Sequence, residues 1–241
     1  MKKSHSESNF YKFWRISAAL ILLFCMVSIS SAEEMTYSGP RPLMRFPDIN
    51  QDLIVFVHAE DIWSVPADGG VATRLTIHDG EERFPKISPD GSLIAFTGEY
   101  DGNPDVYVMN THGGDITRVT YHPGYDEVVG WHPVSNKIIF RSTRHSYSRF
   151  DRLYLISPDG TDLEELILNE AVQGSFSPDG KTLATDGGKD TIQLREVSTG
   201  NLLQEYKGSA TSLSFSPDGK ILASGCYGKT IKLWEVRTGD L

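Results

Sequence analysis

The chain has 241 residues, a net charge of −9 and 39% hydrophobic residues, which is enough apolar material for a sizeable core. Its acidic balance argues against nucleic acid as a partner. It contains two cysteines, Cys25 and Cys226. Because the first lies in a predicted leader, we expect no intrachain disulfide even in an oxidising compartment.

Residues 1–32 have the features of a cleavable secretory signal. Lys2, Lys3 and Arg15 precede an apolar run over 16–29, and small residues follow up to Ala32. The run is shorter than the roughly 20 residues that span a bilayer, although an uncleaved anchor is an alternative. We therefore expect export to the periplasm or the cell exterior, with no membrane attachment after cleavage. Residues 33–42 would form a short N-terminal extension.

A repeat of 39–45 residues occupies the rest of the chain. Three of its turns, 88–91, 177–180 and 216–219, have the sequence Ser-Pro-Asp-Gly. Proline presets the φ angle of the second residue of a tight turn, and Asp and Gly accept the conformations that close it. The prolines taken to mark this turn in successive repeats are Pro47, Pro89, Pro133, Pro178 and Pro217.

Each repeat also contains strand-forming runs in the same order. A short apolar run follows the turn, at 93–96, 137–140, 183–185 and 221–224, and is expected to be an inner strand. Further runs at 61–65, 105–108, 152–155 and 230–234 place an aromatic residue at a matching position, where it would pack between repeats. The period and strand order predict an all-β propeller of four-stranded antiparallel blades. About five blades are present, and the last is incomplete.

In this strand order, the loops between second and third strands lie on the same face as the connections between blades. These segments vary from blade to blade, so we expect binding there, to a peptide or a protein partner. Basic and aromatic residues within an acidic chain could grip a carboxylate; alternatively, the arginines pair with acids of neighbouring blades. The candidate binding residues are Glu99, Tyr100, Asp101, Arg141, Arg144, His145, Tyr147, Arg149 and Arg152.

Loop residues that a generic repeat does not require indicate a family. The segments Met-Arg-Phe-Pro-Asp-Ile at 44–49, Phe-Thr-Gly-Glu-Tyr-Asp-Gly-Asn at 96–103 and Thr-Tyr-His-Pro-Gly at 120–124 closely resemble the amino-terminal propeller of tricorn proteases. So do Val-Gly-Trp at 129–131 and Phe-Arg-Ser at 140–142. The resemblance spans roughly 43–180, with blades one to three at 43–174. It implies a six-bladed, non-catalytic propeller that guides peptides to or from a separate serine-peptidase region.

The last two blades, over 175–241, resemble WD repeats instead, most clearly in Thr-Ile-Lys-Leu-Trp-Glu at 230–235. Departures from that signature include Ser209, Lys189 and Gly228 at polar positions and Arg195 in place of a tryptophan. The network that locks such blades is therefore expected to be incomplete. A resemblance to the TolB propeller depends on the generic repeat alone.

No nucleophile elbow, zinc-protease helix or phosphate-binding loop is present in the sequence, and we expect no cofactor or metal. His78 and His122 occupy equivalent positions, which favours a structural role. The spacing of Asp101, Asn103 and Asp105 could suggest calcium, but it lacks the length of a calcium-binding loop and favours a turn. The sequence therefore predicts an exported, non-catalytic scaffold for peptides or proteins. The alternative is the propeller portion of a tricorn-like peptidase whose catalytic region is elsewhere.

The fifth blade stops before an outer strand. We expect one of three explanations: a fragment of a longer protein, a second chain that completes the ring, or completion by residues 33–45. Pro40 and Pro42 argue against the third explanation, because proline is poorly tolerated inside a sheet.

Overall fold

The computed structural model describes residues 43–144, 151–167, 174–187, 190–208, 210–226 and 229–239. In these ranges the chain forms five separate antiparallel sheets whose strands follow one another in chain order. The predicted signal segment and the extension over 33–42 lie outside the described residues. In the part of the chain that the structure describes, no helix is long and apolar enough to cross a membrane.

Each sheet is one blade of the repeat. Blade one contains β1 (Arg45–Asn50), β2 (Leu53–His58), β3 (Asp61–Pro66) and β4 (Thr73–Arg74). Blade two contains β5 (Glu82–Ile87), β6 (Leu93–Gly98), β7 (Asp105–Asn110) and β8 (Thr117–Arg118). Blade three contains β9 (Asp126–Trp131), β10 (Ile138–Ser142), β11 (Arg152–Ile156) and β12 (Glu164–Glu165). Blade four contains β13 (Gly174–Phe176), β14 (Thr182–Asp186), β15 (Thr191–Glu196) and β16 (Leu202–Lys207). Blade five contains β17 (Ser212–Phe215), β18 (Ile221–Cys226) and β19 (Thr230–Glu235).

The predicted propeller is confirmed. The first strands β1, β5, β9, β13 and β17 contact one another in succession, so they surround a common axis. The four apolar runs predicted to be inner strands form the second strands of blades two to five, and each is paired on both sides. Blade five has three strands in the described residues, as the sequence indicated.

Pro47 does not lie in a turn, contrary to the prediction. It is inside β1, and the first turn of blade one is formed by Gln51 and Asp52. β1 is bulged at Pro47, and β5 is bulged in the same way at Pro85. A strand accommodates proline at a bulge because the ladder hydrogen bond is already interrupted there. Pro47 is therefore the repeat of Pro85 rather than of Pro89.

The other four predicted turns are confirmed. Pro89, Pro133, Pro178 and Pro217 each lie between the first and second strands of a blade. The core lies between blades rather than within them. At the contact between blades two and three, for example, Val106 and Val108 pack against Phe140 and Tyr154. Similar clusters join blades one and two, three and four, and four and five.

Candidate functional site

The two faces of the propeller differ in chemistry. The turn face holds the connections between first and second strands and between third and fourth strands. The loop face holds the connections between second and third strands and between blades. On the turn face, polar side chains form hydrogen bonds within their own turns. In the three Ser-Pro-Asp-Gly turns that join first and second strands, at 88–91, 177–180 and 216–219, the serine hydroxyl donates to the aspartate carboxylate at 2.6–2.7 Å. The same serine oxygen accepts the amide N–H five residues later.

These turn hydrogen bonds lower the pKa of Asp90, Asp179 and Asp218, chiefly through the serine hydroxyl. Because the carboxylates already accept hydroxyl and amide donors, few of their acceptor positions remain for a ligand. Blades two, four and five also share the same first turn, Ser-Pro-Asp-Gly. A specific binding surface is therefore more consistent with the loop face.

On the loop face, Glu82 joins blade two to blade one. Its side chain accepts the Ile62 N–H at 3.0 Å and the Tyr100 hydroxyl at 2.5 Å, and it also accepts the Thr76 hydroxyl. Burial raises the pKa of Glu82, and these three hydrogen bonds oppose that rise. Asp126 has the equivalent position in blade three and is also fully buried. Sequence reasoning missed both residues, although each acid begins a first strand, 44 residues apart.

Three predicted binding residues lie in the second blade's loop. The Tyr100 ring packs against Tyr107, with centroids 4.5 Å apart, and its hydroxyl donates a hydrogen bond to Glu82. Its pKa is raised well above the ordinary range, mainly by burial. Glu99 is 3.4 Å from Arg83, and its side chain is 40% exposed. Asp101 is paired with Arg118 at 2.8 Å and is more exposed. Glu99 and Asp101 are thus accessible, whereas Tyr100 faces inward.

The polar side chains of this loop, which could suggest a calcium site, are bonded to other protein groups. Asn103 donates to the carbonyl oxygen of His122 at 2.9 Å. Arg118 bonds both Asp101 and Asp105, so a cation already occupies the space between these carboxylates. The described residues contain no group of three or more His, Cys, Asp or Glu side chains arranged for a metal.

The arginines of blade three are paired with acids. Arg144 bonds Asp126 at 2.5 Å, and its side chain is only 8% exposed. Its guanidinium also lies over the Phe140 and Tyr154 rings, 4.9 and 5.2 Å from their centroids. Arg141 bonds Glu127 and is largely buried. His145, Tyr147 and Arg149 lie outside the described residues, and the binding role of this whole group stays a prediction.

Arg152, another predicted arginine of blade three, belongs to a charge pattern that repeats in three blades. The first residue of the third strand pairs with a residue 13 positions later in the fourth strand, and blade three reverses the two charges. This spacing is visible in the sequence and could have predicted the pairs. The pairs are Asp61 with Arg74 at 2.5 Å, Asp105 with Arg118 at 2.6 Å, and Arg152 with Glu165 at 2.5 Å.

His78 and His122 have matching contacts, as their positions predicted. In each, Nδ1 accepts the backbone N–H of the glycine two residues later at 2.9 Å. The first of these glycines, Gly80, has no room for a side chain, since a Cβ would lie 2.2 Å from the Glu99 carbonyl oxygen. The two histidines thus shape the connections between blades.

A cavity of about 350 Å³ lies on the axis near the turn face. Its wall includes Asp48 and Lys86, which are joined by an ion pair of 3.1 Å. Trp131 lines it as well, and its Nε1 donates to the Lys86 carbonyl oxygen at 2.8 Å. These contacts connect blades one, two and three around the cavity.

At the loop face, blades one and two carry four charged side chains, Arg45, Glu81, Arg83 and Glu99, that we call the axial charge ring. Glu81 lies 3.9 Å from Arg45 and 2.7 Å from Arg83, and Arg83 also contacts Glu99. All four side chains are 31–41% exposed. Just below Arg45, the rings of Phe46 and Phe84 are 4.2 Å apart.

Phe46 and Phe84 both have a φ of 52°. A bulky residue rarely adopts that angle, which costs of order 1–3 kcal/mol. Each phenylalanine precedes the bulged proline of its strand. The bulges therefore give the first strands of blades one and two an unusual backbone beside the axis.

The geometry defines a repeat protein of the β-propeller class, with a charged loop face and a turn face whose polar groups are internally bonded. A family model described as the tricorn protease N-terminal beta propeller domain matches residues 41–211. A second model, for the WD domain, G-beta repeat, matches residues 200–235. Because the first model covers well over half of the chain, the chain belongs to the tricorn N-terminal propeller family.

Individual relatives agree with this assignment. The chain is 29% identical to the tricorn protease of Thermoplasma acidophilum over 162 residues, which is 63% of this chain and 15% of that protein. It is 32% identical to a TolB homologue of Chlorobium luteolum over 127 residues, covering 52% of this chain and 28% of that protein. It also matches tricorn protease homolog 1 of Streptomyces coelicolor, with 37% identity over 36% of this chain. The chain spans only 8% of that relative's length.

Solved structures show the same fold. TolB from Acinetobacter baumannii superposes with a TM-score of 0.68 at 22% identity, covering 82% of this chain and 53% of that chain. The crystal structure of the tricorn protease gives a TM-score of 0.53 at 19% identity, covering 83% of this chain and 26% of that chain.

Proposed function

We propose that this chain is an exported, non-catalytic propeller that binds a peptide or a protein segment on its loop face. The axial charge ring is the observation that carries the proposal. Its ion pairs are partly exposed, and pairs of this kind contribute only about 0–1 kcal/mol to stability. A charged terminus or side chain of a ligand can therefore replace one partner at small cost.

Burial separates the exchangeable charges from the structural ones. Arg144 and Asp126 form a buried pair, and removing one partner would leave the other charge uncompensated. Arg83 and Glu99 face solvent at the axis, so a carboxylate ligand can take the place of Glu99. The alternating charges of the axial charge ring also suit a segment that has both signs of charge. Arg141 belongs with the structural charges, because it is largely buried against Glu127, whereas Arg149 stays a predicted binding residue.

The first test uses fluorescein-labelled decapeptides of mixed sequence, synthesised with a free or an amidated C-terminus, and fluorescence anisotropy. We expect the free-carboxylate set to bind more tightly, and added salt to weaken it. Arg83→Gln is expected to weaken binding by about tenfold, as is Arg149→Ala. Arg237→Ala is the matched control, because Arg237 is exposed on the turn face. Unchanged affinity in Arg83→Gln and Arg149→Ala would refute the loop-face site.

A second candidate function follows from the family. The chain is 26% identical to a putative tricorn-like protease N-terminal subunit of Sulfurisphaera tokodaii, over 54% of this chain and 70% of that protein. That name describes a subunit, so we propose as the alternative that this propeller serves a tricorn-like peptidase whose catalytic region is separate. Fluorogenic peptides added to the chain alone would then remain uncleaved, and cleavage by the purified chain would overturn the non-catalytic assignment.

Export and partner assembly complete the proposal. If residues 1–32 are removed on export, the protein recovered from the periplasm or medium begins at Glu33, and its mass is that of residues 33–241. Recovery of the full-length chain in the cytoplasm would contradict export. A further polypeptide that completes the ring is the partner proposed for blade five.

A further inference from the structure

The outer strand of blade four differs from the outer strands of the first three blades. β4, β8 and β12 have two residues each, whereas β16 has six. Among the described strands, β16 pairs with β15 alone, so it presents a long sheet edge. Its first two residues, Leu202 and Leu203, are 49% and 55% exposed. Natural proteins usually keep open edges short, because the unpaired backbone groups can add a strand from another chain. The edge of β16 is therefore a candidate interaction site.

The hydrogen-bond pattern between β15 and β16 identifies the backbone groups at this edge. The Gly208 N–H donates to the Asp190 carbonyl oxygen at 2.7 Å. Opposite residues in an antiparallel pair alternate between bonded and non-bonded positions, and the register places Glu205 and Lys207 at non-bonded positions. The N–H and C=O groups of Glu205 and Lys207 therefore point away from β15, toward solvent.

The side chains of β16 divide between two faces. Tyr206 is 2% exposed and stacks on Trp234 of blade five, with ring centroids 5.2 Å apart. Because side chains alternate along a strand, Glu205 and Lys207 lie on the opposite face, and both are exposed. Glu205 accepts a hydrogen bond from Gln193 at 2.9 Å, and no ion pair joins Lys207 to another residue that the structure describes. The edge thus carries an available acid and an available base two residues apart.

This order of charges makes the edge complementary to itself. When two identical edges pair antiparallel about a twofold axis at Tyr206, Glu205 of each copy lies opposite Lys207 of the other copy. Both residues have outward backbone groups, so each of these two pairs exchanges two N–H···O bonds. Opposite charges that face each other across two strands stabilise the pairing, and like charges destabilise it. Sliding one strand by two residues places Glu205 opposite Glu205, or Lys207 opposite Lys207. The charges therefore select a single register.

We propose that β16 is a dimerisation edge at which a second copy of this chain adds its own β16. The contact uses the same patch on both subunits, as twofold dimers do. Blade four already has four strands, so this edge is not the place of a missing strand of its own blade. One pair of strands is a small interface, and we expect a dimer that dissociates on dilution. The inference goes beyond the proposed function, because it concerns the outer rim of blade four and does not involve the loop face.

Sedimentation of the full chain over a wide range of concentrations tests the proposal, and we expect a monomer–dimer equilibrium. Glu205→Lys and Lys207→Glu each place like charges opposite each other, so each should weaken dimerisation at least tenfold. The double variant Glu205→Lys/Lys207→Glu exchanges the two charges and should restore the native affinity. Glu164→Lys is the matched control, because Glu164 is an acid in the outer strand of blade three whose side chain is 61% exposed.

Hydrogen exchange at the same concentrations locates the contact. The amides of Glu205 and Lys207 should be protected in the dimer and unprotected in Glu205→Lys. Equal thermal midpoints of the dilute variants verify that the fold is intact. A chain that stays monomeric, or a dimer that the single variants leave unchanged, would overturn the inference. A double variant that does not recover would also overturn it, since an extended segment of a different protein would then fit the edge better than a second copy. Arg83→Gln should leave dimerisation unchanged, so failure here is distinguishable from failure of the loop-face proposal.

Discussion

The Glu82 side chain offers a quantitative test of how the blades are joined, because it accepts donors from both blades one and two. In Glu82→Ala, the Ile62 N–H keeps an acceptor, since the Thr76 hydroxyl oxygen also lies 2.8 Å away. The hydroxyls of Thr76 and Tyr100 each lose their acceptor. A buried polar group without a partner costs about 1–3 kcal/mol, so the two together cost about 2–6 kcal/mol.

Glu82→Gln isolates the charge from the hydrogen bonds. The amide oxygen can still accept from Ile62 and Thr76, while the amide nitrogen can donate to the Tyr100 oxygen. Burial raises the pKa of Glu82, which means that the charged form opposes folding. We therefore expect Glu82→Gln to be within about 1 kcal/mol of the native chain at pH 7.

The pH dependence has a definite sign. A carboxylate whose pKa is raised on folding contributes stability below its unfolded pKa, near 4.3, and loses it as the pH rises through the folded pKa. The native chain should thus gain stability relative to Glu82→Gln as the pH falls from 7 toward 4. Urea denaturation measured by tryptophan fluorescence gives both quantities. With an m value of about 2 kcal/mol/M, Glu82→Ala should lower the urea midpoint by about 1–3 M.

Glu99→Ala is the matched control, because Glu99 is a partly exposed acid whose ion pair with Arg83 contributes about 0–1 kcal/mol. If Glu82→Ala costs no more than Glu99→Ala, the hydrogen bonds of Glu82 do not hold the two blades together. If Glu82→Gln is as harmful as Glu82→Ala, the charge rather than the hydrogen-bond geometry matters, and the reasoning fails.

Three further predictions follow from the same structure. Arg144→Ala should destabilise the chain by about 3–5 kcal/mol, because Asp126 is then a buried, uncompensated charge; urea denaturation should show recovery when Asp126→Asn is combined with Arg144→Met. The pKa of Asp179 and of Asp218 is lowered on folding, so their contribution is lost as the pH falls below about 4. The double variant Asp179→Asn/Asp218→Asn should therefore lose less stability than the native chain between pH 5 and pH 3, and equal losses would contradict this. Burial, followed by a hydrogen bond to a carboxylate, raises the pKa of Tyr125 to about 12; Tyr125→Phe should accordingly lose less stability between pH 9 and pH 11 in the same urea assay.

The sequence predicted the propeller because turn chemistry and strand alternation are local properties. A serine and an aspartate two residues apart form the turn at Pro217 without help from another blade. The error at Pro47 has a local explanation too: Phe-Pro recurs at 84–85 inside a bulged strand, and that comparison separates it from the turn prolines. The 13-residue spacing of Asp61 and Arg74 was also present in the sequence but was not used.

Only the tertiary structure decided which loop side chains face solvent. Tyr100 and Arg144 look like exposed binding residues in a variable loop, but both turn inward onto acids at the start of a first strand. Arg83 and Glu99, in contrast, remain partly exposed at the axis. The sequence by itself determines the strands and turns, because their hydrogen bonds join residues close along the chain. Burial and charge pairing depend on how neighbouring blades pack, and only the folded molecule brings those residues together.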